Sequence, residues 1–114
     1  MRQDLCARSL KFSEEILALH RRLLPHKERF AGSLFQLVRA ATGIGSNVEE
    51  AQAASSRKDM AAKYAIALRE ARETRYWLRV LRSDPLVGSS VDALIQESTE
   101  WVAMLTATVK KLRE

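Results

Sequence analysis

Residues 90–112, SVDALIQESTEWVAMLTATVKKL, carry the clearest periodicity in the chain. Val91, Ile95, Ser98, Val102, Leu105, Val109 and Leu112 alternate steps of four and three, which places them on one face of a helix. The spacing predicts a helix to about Lys111, opened by Ser89 or Ser90 as N-cap. Before it, Asp84, Pro85 and Gly88 mark a loop. Further back, Ser56 with Asp59 three residues on is an acidic version of a capping box, so a helix starts there and runs to about Arg82. Its stripe is Tyr64, Ala67, Leu68, Ala71, Thr74, Leu78 and Leu81.

A third stretch covers about Phe30 to Ala54, with Leu34, Leu37, Val38, Ala41, Ile44, Gly45 and Val48 on one face. Gly43 and Gly45 fall inside it, and each costs about 1 kcal/mol relative to Ala. A kink near Gly43, or close approach by another backbone, would account for them. The first stretch runs from about Arg2 to Leu24, where Pro25 ends it. Leu5, Phe12, Ile16, Leu19 and Leu23 form its stripe, and Leu10, Leu17 and Leu24 widen the apolar sector. Four helices joined by short connections must pack antiparallel. The expectation is an all-α, up-down-up-down four-helix bundle, a single domain over residues 1–114.

Composition agrees. The chain has 114 residues, of which 46% are hydrophobic and 29% charged, as in a globular domain. Four Gly and two Pro are too few turn residues for an all-β fold. One Cys makes no internal disulfide, and Cys6, His20 and His26 fall short of a structural zinc set. The charged N-terminus is no signal peptide, and no apolar run reaches the ~18 residues of a membrane span. A cytoplasmic protein without membrane contact is expected. The net charge of +5 suits an acidic partner.

Catalytic patterns are missing. Di-iron bundles use Glu-x-x-His pairs, yet Leu17 and Leu23 precede His20 and His26 by three. Cys6 borders the apolar sector and reads as a packed residue rather than a nucleophile. Glu14–Glu15 and Glu49–Glu50 are adjacent, so their side chains diverge on a helix. Gly43-Ile44-Gly45 lacks the strand and spacing of a phosphate loop. No enzyme, cofactor or metal is expected.

Charge distribution is more informative. Residues 20–29 hold Arg21, Arg22, Lys27 and Arg29 against Glu28, and residues 57–82 hold eight bases against three acids. Arg72, Arg75, Arg79 and Arg82 fall within an arc of about 80° at 100° per residue. Such a stripe tracks a phosphate backbone, or is a solvated face or subunit contact whose stems cover Leu68 and Tyr64. Tyr76 and Trp77 lie nearby without the stacking pattern of a sheet-based RNA reader. Opposite the apolar stripe of the second helix lie Gln36, Arg39, Gly43, Ser46 and Glu50, with Asn47 beside them. This small, polar face of mixed charge fits a subunit interface, with ordinary helix surface as the alternative. Arg39 would pair with Glu50 or Glu70, and Glu70 at the stripe's edge needs a cationic partner.

Residues 39–81, RAATGIGSNVEEAQAASSRKDMAAKYAIALREARETRYWLRVL, resemble the bacterial 23S rRNA intervening-sequence proteins, whose members carry a pattern close to RRAAxSIxSNIAEG and, in one branch, EARETRYWL. Arg39, Ala40, Ala41, Ile44, Ser46, Asn47 and Glu50 match the first part, and Ala71 to Leu78 the last. Gly43, Glu49, Ala51 and Met60 depart from it. The resemblance implies a homo-oligomer, a ring-shaped pentamer of four-helix bundles. That family is similar to a basic accessory protein of retroelements that binds nucleic acid and a reverse transcriptase. A scaffold binding RNA, DNA or another polyanion is therefore the expectation, with an accessory subunit that contacts only protein as the alternative.

Overall fold

Four amphipathic stripes can leave water only by facing one another, and they do so in an antiparallel bundle. The computed structural model describes residues 2–114, with side chains from Leu5 onward. Helices α1 (Arg2–Leu23), α2 (Ser33–Gln52), α3 (Arg57–Arg82) and α4 (Asp92–Leu112) lie in a body of 44 × 22 × 19 Å. Cross-helix contacts fix their directions. Arg8 of α1 meets Glu97 and Met104 of α4, while Arg22 meets Ser90, so the two helices run oppositely. Gln52 of α2 bonds Tyr64 of α3, whereas Arg39 reaches Glu73. Arg57 binds the carbonyls of Lys111 and Leu112, and Arg82 binds Asp92. Successive helices pack along their lengths, and the α1–α4 seam is the loosest.

The core joins Phe12, Ile16, Leu19 and Leu23 to Leu34, Leu37, Ala41, Ile44 and Val48, with Tyr64, Ala67, Ala71, Leu78 and Leu81 from α3. From α4 come Trp101, Leu105 and Val109. Trp101 is fully buried although it lies outside the expected stripe, because the core side of α4 turns toward α1 as well as α3. The opposite correction applies to Leu10, Leu17 and Leu24. They do not widen the buried sector of α1 but stand 58%, 44% and 44% exposed. Seven-residue spacing puts them on the flank away from Phe12 and Ile16, which already fill the core side.

Helix ends follow local chemistry. The Ser56 hydroxyl accepts from the Asp59 N–H at 3.0 Å, and the Asp59 carboxylate accepts from the Ser55 N–H at 3.1 Å. The expected box forms, displaced by one residue on its return bond. Pro25 ends α1 as expected, but the chain continues as a 3₁₀ helix over Leu24–Phe30 before left-handed Ala31 and Gly32 turn it into α2. Neither Ser89 nor Ser90 caps α4. A 3₁₀ turn over Gly88–Val91 leads straight into that helix, and the Ser90 hydroxyl donates instead to the Val87 carbonyl.

No kink forms at Gly43, since α2 is one unbroken α-helix from Ser33 to Gln52. The glycines serve close approach, by side chains rather than backbone. A Cβ on Gly43 would lie 2.6 Å from a Glu70 carboxylate oxygen and 3.1 Å from Glu70 Cγ and Cδ. A Cβ on Gly45 would meet Ser13 Oγ at 3.4 Å and Ser9 Oγ at 3.5 Å, ordinary contacts. Gly45→Ala should therefore gain up to about 1 kcal/mol from helix propensity. Gly43→Ala must displace Glu70 and should be the less stable of the two, a ranking that urea midpoints will test.

Candidate nucleic-acid interface

The arginines singled out by the sequence fall into two groups once their partners are known. Arg29 donates to both oxygens of Asp84, at 2.7 and 3.2 Å, tying the 3₁₀ helix to the α3–α4 loop. Arg82 makes the same forked contact with Asp92, at 2.5 and 3.2 Å. The guanidinium of Arg29 holds Asp84 below the usual carboxylate range, and that of Arg82 does so for Asp92. Arg22 donates to Ser90 Oγ at 3.0 Å. Arg29 and Arg82 thus face acids that would compete with a phosphate.

Arg21, Lys27, Arg72, Arg75 and Arg79 make no ion pair among the described residues. Arg75 is half-buried, seven residues before Arg82 on the same flank of α3. Arg72 and Arg79 point outward. Beside them the sequence reading missed Arg69 and undervalued Tyr76, both exposed. Steps of three, four and three from Arg69 to Arg72, Tyr76 and Arg79 make one row along the outer face of α3, opposite its core stripe. The signal was present in that spacing but was hidden by grouping arginines alone.

The polar face of α2 divides similarly. Arg39 donates to Glu73 Oε1, and its guanidinium lies 3.7 Å from Glu70. Glu73 also accepts from Trp77 Nε1 at 3.2 Å. Gly43 faces Glu70, so Arg39 and Gly43 belong to the α2–α3 seam within one chain. Glu70 thus finds the partner its position requires, whereas Glu50 is exposed three turns from Arg39. Gln36 accepts from Arg39 at 3.3 Å, and Asn47 donates to the Gly43 carbonyl at 2.8 Å. Ser46 is exposed and lines a groove between α1 and α2 with Leu10, Ser13, Thr42 and Glu49. Farther along the same side, Leu24 and Phe35 line a second depression with His20 and Lys27.

One cluster was not foreseen. Arg8 donates to both oxygens of Glu97, at 2.7 and 2.8 Å, to Glu100 at 2.8 Å, and lies 5.8 Å from the centroid of the Trp101 ring. Trp101 Nε1 donates to Glu97 at 3.1 Å. Arg8 sits between Leu5 and Phe12 at helical spacing, so a cation on the apolar stripe was the available sign. Among the described residues no group of three or more His, Cys, Asp and Glu is placed to hold a metal. No described helix is long and apolar enough to cross a membrane.

The family model of 23S rRNA-intervening sequence proteins matches residues 2–107, nearly the whole chain. The chain belongs to that family. It is also similar, at 34% identity and a TM-score of 0.84, to a solved structure from Bacteroides thetaiotaomicron described as a protein with unknown function from the S23 ribosomal protein family. The match covers 93% of this chain and 98% of that one, which extends the likeness past the matched motifs to all four helices. No curated protein matches. Membership bears out the resemblance carried by residues 39–81.

Two carboxylates at helix seams should respond oppositely to neutralisation. The hydrogen bond from Arg8 holds Glu97 below the usual glutamate range. Its contribution is complete above the unfolded value near 4.3 and is lost as pH falls through the lower folded value. Burial pushes Glu70 up despite Arg39, so its charged form opposes folding at neutral pH. At pH 7, Glu97→Gln should cost about 1 kcal/mol while Glu70→Gln is neutral or stabilising. The Glu97→Gln deficit should shrink toward pH 3. Urea melts at both pH values test this.

Proposed function

We propose that the chain is a non-enzymatic helical scaffold that assembles with copies of itself and binds RNA or another polyanion through the outer face of α3. The row of Arg69, Arg72 and Arg79 carries the reading. These three cations share one solvent face and none makes an ion pair among the described residues. A phosphate backbone offers such a row the charge it lacks. Arg21 and Lys27 extend the positive field at the end of the bundle where α3 finishes, while Arg29 and Arg82 stay with their acids.

Self-assembly is supported by a different surface. Leu10, Leu17, Leu24 and Phe35 stand 44–68% exposed along one side of α1 and the start of α2. Large apolar side chains repeated along one side are costly in water and suit a second copy. α1 and α3 occupy opposite corners of the bundle, so assembly through α1 leaves the arginine row open.

Binding of a single-stranded oligonucleotide should weaken steeply with salt. The log–log slope should be about −2 if three phosphates are neutralised, at about 0.7 per phosphate. Arg72→Ala with Arg79→Ala should flatten that slope, and a slope of zero in the parent protein contradicts the reading. Light scattering should give about 65 kDa for five copies of 12.9 kDa, and Leu17→Asp should lower it. A mass of 12.9 kDa in the parent protein contradicts assembly.

A further inference from the structure

We infer that Tyr76 is a stacking platform for an unpaired nucleobase, so that the α3 row takes single-stranded nucleic acid rather than polyanions in general. This rests on the reading of α3 as the polyanion-binding face. Tyr76 is 58% exposed, in the middle of the row, with Arg72 one turn before it and Arg79 one turn after. An aromatic residue left in water between two unpaired arginines has no role in the core of this bundle. Its ring is nevertheless held. Trp77 packs edge-on against it, with centroids 5.1 Å apart and planes at 72°. Trp77 is itself fixed by its bond to Glu73, which Arg39 clamps in turn. Trp77 therefore buttresses Tyr76 from the α2 side and leaves the row side open.

Single-strand binding surfaces combine these two elements, cations that follow the backbone and an aromatic face that accepts any base. The row extends about 15 Å from Arg69 to Arg79, the length of a few nucleotides. No acid lies within it, and toward the N-terminus it continues through Ala62 to Lys58, both exposed. A duplex buries its base faces in its own stack and offers Tyr76 nothing to cover. An extended strand can set phosphates on Arg72 and Arg79 and turn one base onto the ring between them.

The experiment compares oligo(U), oligo(dT) and inorganic polyphosphate of equal charge, by Trp fluorescence and by anisotropy, on the parent protein, Tyr76→Ala and Tyr76→Phe. Trp77 lies beside Tyr76 while Trp101 is fully buried, so quenching reports the row. Both oligonucleotides should bind more tightly than polyphosphate and quench Trp77. Tyr76→Ala should weaken them about fivefold or more and leave polyphosphate unchanged, and Tyr76→Phe should restore the difference. If polyphosphate binds as tightly as the oligonucleotides, or Tyr76→Ala changes nothing, the stacking role is wrong while the polyanion reading stands. If none of the three binds the parent protein, both fall. Circular dichroism of the variants checks that the exposed substitution leaves the bundle folded.

Discussion

Among the described residues, the ion pairs between separate elements all join an arginine to a carboxylate: Arg8 to Glu97 and Glu100, Arg29 to Asp84, Arg39 to Glu70 and Glu73, Arg82 to Asp92. Each spans a seam or an end, where forked guanidinium geometry fixes the relative position of two backbones. Four narrow apolar stripes would tolerate sliding by a turn, and these pairs resist it. They also decide what is left over. With those acids occupied by seam arginines, Arg69, Arg72 and Arg79 are left without an ion pair among the described residues.

The seams are close because small residues line them. Gly43 gives the Glu70 side chain room against α2, and Gly45 meets Ser9 and Ser13 of α1. Arg39 can then reach both Glu70 and Glu73, and Glu73 in turn holds Trp77. A packing decision on α2 thereby sets the orientation of an aromatic pair on α3. On the far corner, α1 leaves its leucine line uncovered. A small bundle with one exposed apolar line and one exposed basic row has two faces of different chemistry on opposite sides, which suits a scaffold.

Much of the fold was legible in the sequence. Helix limits at Arg82, the Ser56–Asp59 start and the stop at Pro25 follow from side chains acting on their own backbone, over a few residues. Leu10, Leu17 and Leu24 were misread because period alone cannot tell a wide core sector from a second apolar face. Trp101 escaped for the reverse reason, since α4 buries a flank that a single stripe does not mark. The Arg8 cluster joins residues 89 positions apart, and only a cation on an apolar stripe hinted at it. Among the candidate contacts, residue type identified the arginines, but their pairing partners lay on other elements. The division into Arg29 and Arg82 on one side and Arg72 and Arg79 on the other therefore required the fold.

That division is the central claim, and arginine footprinting tests it most directly. Phenylglyoxal labelling, read by mass spectrometry, should modify Arg69, Arg72 and Arg79 rapidly in the free protein. A bound single-stranded oligonucleotide should protect all three while leaving Arg29 and Arg82 as slow to react as before. Protection centred on Arg29 and Arg82, with the α3 row still labelled, would contradict the account.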